Sequence, residues 1–101
     1  MKTMEIIHLR LAGRVPEDLV DIIRDSVVSV PDLTDARIYR NSKLENDLAI
    51  HLHREVSGPE DKASDVGIKL ASLLKNYGMV SHYVWTECCS LDKWSRPDET
   101  G

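Results

Sequence analysis

The sequence has no phenylalanine, two cysteines, and no apolar run approaching the ~20 residues that span a bilayer. Each absence excludes something. With no Phe and only 5% aromatic residues, the core must be built from Leu, Ile and Val, an aliphatic set that suits strands. The cysteines, Cys88 and Cys89, are neighbours, and bridging neighbours forces a strained ring, so they read as reduced thiols, one inward and one outward if they lie on a strand. The glycines are isolated and form no phosphate-cradling loop, and neither His-Glu-x-x-His nor Gly-x-Ser-x-Gly occurs. Excess positive charge is missing too: 17 acidic residues against 13 basic give a net charge of -4, which draws the chain to neither nucleic acid nor an anionic membrane. The start, MKTMEIIHLRLAG, lacks the apolar stretch and small-residue cleavage site of a signal peptide and reads as cytoplasmic.

A chain of 101 residues forms one core. We expect residues 1–89 to make a single α+β domain and residues 90–101 a polar tail. In that tail Trp94 is either idle decoration or an anchor on a partner subunit. The stretch NDLAIHLHREV, from Asn46 to Val56, organises the rest. As a strand it sends Leu48, Ile50 and Leu52 to one face and Ala49, His51 and His53 to the other. Met4 to Leu11 repeats the pattern, with Ile7, Leu9 and Leu11 on one side and Ile6, His8 and Arg10 on the other.

Between these strands, Pro16-Glu17-Asp18 looks like a first helical turn, followed by a stripe of Leu19, Ile22, Ile23, Val27 and Val30 that Pro31 stops. Ala36 to Arg40 is a short second strand, joined to the third by a turn-rich NSKLEND. Ser57-Gly58-Pro59 opens a second helix with the stripe Ala63, Val66, Leu70, Leu73, Leu74 and Tyr77, and Gly78 sits just past its end. Gly67 lets that helix approach a sheet closely. Met79 to Cys88 is the fourth strand. The order strand, helix, strand, strand, helix, strand is the ferredoxin-like βαββαβ pattern, a four-stranded antiparallel sheet in the order 4-1-3-2 with both helices on one face.

The uncovered face then carries Ile6, His8, Arg10, Arg37, Tyr39, Ala49, His51 and His53. The fourth strand adds either Tyr83 with Trp85 or His82 with Val84, since its parity is apolar on both sides. Such a face is too sticky for plain solvent and too polar for a sealed core. Acid/base chemistry in a water-poor lumen is one use, with His8, His51 and His53 as the catalytic set and Arg10, Arg37, Tyr39, Tyr83 and Trp85 as substrate-binding groups. A metal set is another: His-x-His puts two rings ~6–7 Å apart on one face, but no carboxylate is obviously placed behind them, and we expect no metal. An RNA-recognition surface is rejected, because it needs stacking aromatics on the central strands within a basic surround. The acidic positions Glu17, Asp18, Asp21 and Asp25 read as a solvated helix face.

The segments VPDLTDARIYRNSKLENDLAIHLHRE and PEDKASDVGIKLASLLKNYG resemble the dimeric α+β barrel superfamily, and within it the antibiotic biosynthesis monooxygenase group. The first is similar to that family's proline, second strand, acidic-polar turn and third strand; the second stands where it places its second helix. The resemblance covers Met4 to Glu87 and implies a homodimer with a lumen between two sheets, binding a small organic molecule, with any monooxygenase-like turnover needing no cofactor. Where family members carry a Trp at the end of the third strand and a His in the second helix, this chain has Arg54 and Glu55 and no helical His, so haem degradation is not implied. The alternative is a regulatory or interaction module in which the sheet face is only a dimer interface.

Overall fold

The computed structural model describes residues 2–56, 62–89 and 91. The elements run β1 (Lys2–Leu11), α1 (Leu19–Val27), β2 (Leu33–Arg40), β3 (Asp47–Glu55), α2 (Asp65–Leu74) and β4 (Gly78–Thr86). All neighbouring strands are antiparallel and the sheet order is β2-β3-β1-β4, the ferredoxin-like arrangement expected from the sequence. Trp94, and Ser57, Gly58 and Pro59 at the expected start of the second helix, lie outside the described residues.

Strand alternation produces the two layers. On one face Ile7, Leu9, Ile50 and Leu52 are fully buried against Leu19 and Ile23 of α1 and Leu70 and Leu74 of α2. Each such side chain contributes about 1.5–3 kcal/mol when removed from water. On the other face stand Ile6, His8, His51 and His53, in pairs fixed by the β1–β3 register, Ile6 opposite His51 and His8 opposite Ala49.

Several boundaries differ from those the sequence suggests. Helix α1 begins at Leu19 rather than Pro16, because Leu19 N donates to Pro16 O at 3.2 Å and closes a turn across Glu17 and Asp18. It ends at Val27, and Val30 belongs to a further turn through its N–H to Val27 O at 3.2 Å. Strand β2 starts three residues before Ala36, with an irregular register between Leu33 and Asp35. Helix α2 is capped by Ser64, whose Oγ accepts from Gly67 N at 3.0 Å. Gly78 opens β4 rather than ending α2; its backbone passes so close to β1 that a β-carbon would overlap the Arg10 carbonyl. Cys88 and Cys89 follow β4 and are both exposed, so neither is the inward residue that a longer strand would have made it.

Among the described residues the apolar layer contains one carboxylate, Glu5, with no solvent exposure. Its Oε1 accepts from Ser64 N at 3.0 Å and lies 2.9 Å from His82 Nε2; Oε2 accepts from Ser64 Oγ and stands 3.3 Å from Arg54 Nε. One side chain of β1 thereby ties down the cap of α2, the end of β3 and the middle of β4. Gly67 makes this possible, since a β-carbon there would run into the Glu5 carboxylate. Removing one partner of a buried charge pair strands the other.

Glu5→Ala is therefore expected to lower the free energy of urea unfolding by about 3–5 kcal/mol, and Ser64→Ala by about 1 kcal/mol. A loss below about 0.5 kcal/mol in both variants would show that the network does not hold α2.

Candidate functional site

The open face forms because β1, β2 and β3 each turn a polar set away from the helices. The structure brings together the three histidines, Arg10, Arg37 and Tyr39 as the alternation requires. It also fixes the fourth strand: Tyr83 pairs with Ile6 and Trp85 with Met4 on the open side, while His82 pairs with Ile7 on the helix side. His82 turns inward because Glu5 is there to receive it.

His51 is at the centre. Its ring lies 4.6 Å from the Tyr39 ring at an interplanar angle of 53°, and 6.3 Å from the His53 ring at 49°. Partial burial, and secondarily the neighbouring His53, lower the His51 pKa below the usual imidazole value. A neutral ring with a free nitrogen accepts a proton or a hydrogen bond from a ligand. Among the described residues no group of three or more His, Cys, Asp or Glu side chains converges to hold a metal ion.

Two carboxylates that the sequence reading passed over complete the site. Asp47 is nearly buried and takes both Arg10 Nε at 3.0 Å and Arg10 Nη2 at 3.2 Å in a forked pair. The Arg10 hydrogen bonds hold the Asp47 carboxyl below the usual carboxylate range, and its Oδ2 lies 3.6 Å from His8 Nε2. Asp35 receives Arg37 Nε at 2.7 Å, and that bond lowers its pKa in turn. A carboxylate thus does stand beside one of the imidazoles, contrary to expectation. Both guanidiniums are already neutralised by partners within the chain, which leaves them poorly suited to draw in an oxyanion.

Within the single chain the two sides of β4 differ in cover. The helix side is covered, but Met79 is 76%, Trp85 58% and Tyr83 50% exposed on the open side, with Tyr39 46% exposed on β2. Near Trp85 the face deepens into a hollow of about 510 Å³ lined by Met4, Asp35, His53 and Trp85 among others. A larger hollow of about 720 Å³ lies on the helix side, beside Val30, Arg54, Ser64 and Leu70, and none of the expected site residues line it. Of the three open-face histidines only His53 lines the smaller hollow, and His8 and His51 stand outside it.

The chain matches no protein-family model and no curated protein. Among solved structures it is similar to Rv0793 from Mycobacterium tuberculosis, at 8% identity with a TM-score of 0.64, over 89% of this chain and 98% of that one. It is likewise similar to SnoaB, a cofactor-independent oxygenase from Streptomyces nogalater, at 13% identity with a TM-score of 0.65, over 91% of this chain and 98% of that one. These likenesses show the fold. The α+β fold expected from the sequence, four antiparallel strands and two helices in βαββαβ order, is thereby borne out. No helix among the described residues is long and apolar enough to cross a membrane.

The environment of His51 sets a pH dependence. Its folded pKa lies below the unfolded value of about 6.5, so the unfolded chain takes up this proton first and His51 subtracts stability as pH falls through that value. An NMR titration is expected to place the His51 midpoint below that of a free imidazole, and His53→Gln to raise it only partway, because burial remains. A midpoint at or above the free value would overturn this account of the ring.

Proposed function

We propose that the chain works as a cytoplasmic homodimer whose two open sheet faces close over a small, uncharged organic molecule, with turnover that relies on the imidazoles and needs no cofactor. The observation that carries this reading is the combination, on one unpartnered face, of His51, its ring tilted against Tyr39 and its pKa lowered by partial burial, with exposed Tyr83, Trp85 and Met79. Aromatic and aliphatic side chains at that exposure favour a cover, and burying them against a second copy also dries the space around the rings. The fold is shared with a cofactor-independent oxygenase, which supports oxygenation of an organic substrate as the reaction class.

In this reading His51 accepts a proton from the substrate, with His53 beside it and Tyr39 fixing the ring plane. His8 serves the far end of the same face, held by Asp47. Arg10 and Arg37, each closed onto a carboxylate, shape the walls and donate remaining N–H groups to a neutral acceptor. Tyr83 and Trp85 supply flat apolar contact. An anionic ligand would gain little here, because each guanidinium it meets is already compensated.

A second reading is favoured by the exposure of Met79 and Trp85 alone: the face is a protein interface, dimerisation is the function, and the histidines only line it. The two readings separate in one set of measurements. Sedimentation at pH 8 is expected to show a dimer that loosens toward about pH 5, as imidazolium groups repel across the closed faces. Oxygen uptake with a panel of phenols and enolisable ketones is expected to find a substrate, and His51→Ala to slow it by about 10²–10⁴-fold while leaving the dimer intact at pH 8. A monomer at pH 8, or an unchanged dimer at pH 5, would remove the interfacial role of the histidines. A dimer that takes up no member of the panel would leave the interaction module.

A further inference from the structure

Reactive groups of a different kind stand just beyond the sheet. Glu87 N donates to Lys2 O at 2.8 Å, which anchors the chain as it leaves β4, and Cys88 and Cys89 follow at once. Both thiols are free and exposed, and Cys88 Sγ donates to Cys89 Sγ across 3.9 Å. That separation decides what the pair can do. A disulfide requires sulfurs about 2.05 Å apart, so direct bridging would have to close roughly half the gap within a strained ring. A central atom with bonds of about 2.3 Å to sulfur spans about 3.8 Å at a tetrahedral angle and about 3.3 Å at a right angle, which meets the thiols near where they stand. With no set of three or more His, Cys, Asp or Glu donors among the described residues, the pair does not complete a tetrahedral zinc centre. It matches a soft centre that two sulfurs satisfy.

We propose that Cys88 and Cys89 form a two-sulfur chelate for trivalent arsenic compounds. In water a monosubstituted arsenical carries two hydroxyls on arsenic. Each thiol gives its proton to one of them; two As–O bonds break as two As–S bonds form, and two waters leave. Arsenic stays trivalent, so no oxidant or reductant takes part. Whichever thiol attacks first, the second closes the ring from the neighbouring residue, 3.9 Å away. The bound group would sit just past the end of β4, one residue beyond Glu87, which lines the hollow with Trp85.

The test is mass spectrometry of the reduced, full-length protein after treatment with phenylarsine oxide and exchange against an excess of a monothiol. The wild type is expected to keep one arsenical per chain and to release it to a small dithiol. Cys88→Ser and Cys89→Ser, both exposed and outside the core, are each expected to lose the arsenical at least about 10²-fold more readily, because the second attachment is intramolecular only in the wild type. Retention by either variant at the wild-type level, or release from the wild type to the monothiol, would overturn the proposal.

Discussion

The structure depends on one buried charge. Glu5 lies on the apolar side of a central strand, where an uncompensated carboxylate would cost several kcal/mol, roughly the margin by which a small domain is stable. It is tolerated because Ser64, His82 and Arg54 converge on it from three other elements. The same contacts locate α2 along the sheet, and with it Leu70 and Leu74 over the strands. An aliphatic core specifies volume well and position poorly, since one branched side chain can replace another. The hydrogen bonds to Glu5 supply the positional information that such a core lacks.

Much of the fold was legible in the residues, for a definite physical reason. Period-two alternation in β1 and β3 and helical spacing in α1 and α2 are local signals, and the strand order follows from their sequence along the chain. What resisted reading was non-local. Glu5 shares its parity with Ile7, Leu9 and Leu11, so a charge on the buried phase was visible. Its partners Ser64 and His82 are 59 and 77 residues away and, like Arg54, carry no local mark. For the same reason the phase of β4 could not be chosen from its own residues: both sides are apolar, and only the match of His82 to Glu5 decides between them.

The candidate site divides along the same line. The three histidines and Tyr39 were found because alternation alone places them. Asp47 and Asp35 were missed because an aspartate beside a turn, or at the ragged start of an edge strand, reads as a turn former. Only the paired registers bring Asp47 opposite Arg10, 37 residues away, and set the side chains of Asp35 and Arg37 on one side of β2. A sequence gives the ingredients of such a face more readily than its charge balance.

That balance governs how anything arrives. With Arg10 closed onto Asp47 and Arg37 onto Asp35, the arginines of this face project no uncompensated field into solvent, and beyond about 8 Å ordinary salt would screen what remains. Under the proposed function a ligand would reach the face at the pace of unguided diffusion, and adding salt would change that pace little. Selection is left to the moment of contact, where shape and the desolvation of a polar edge decide which encounters last.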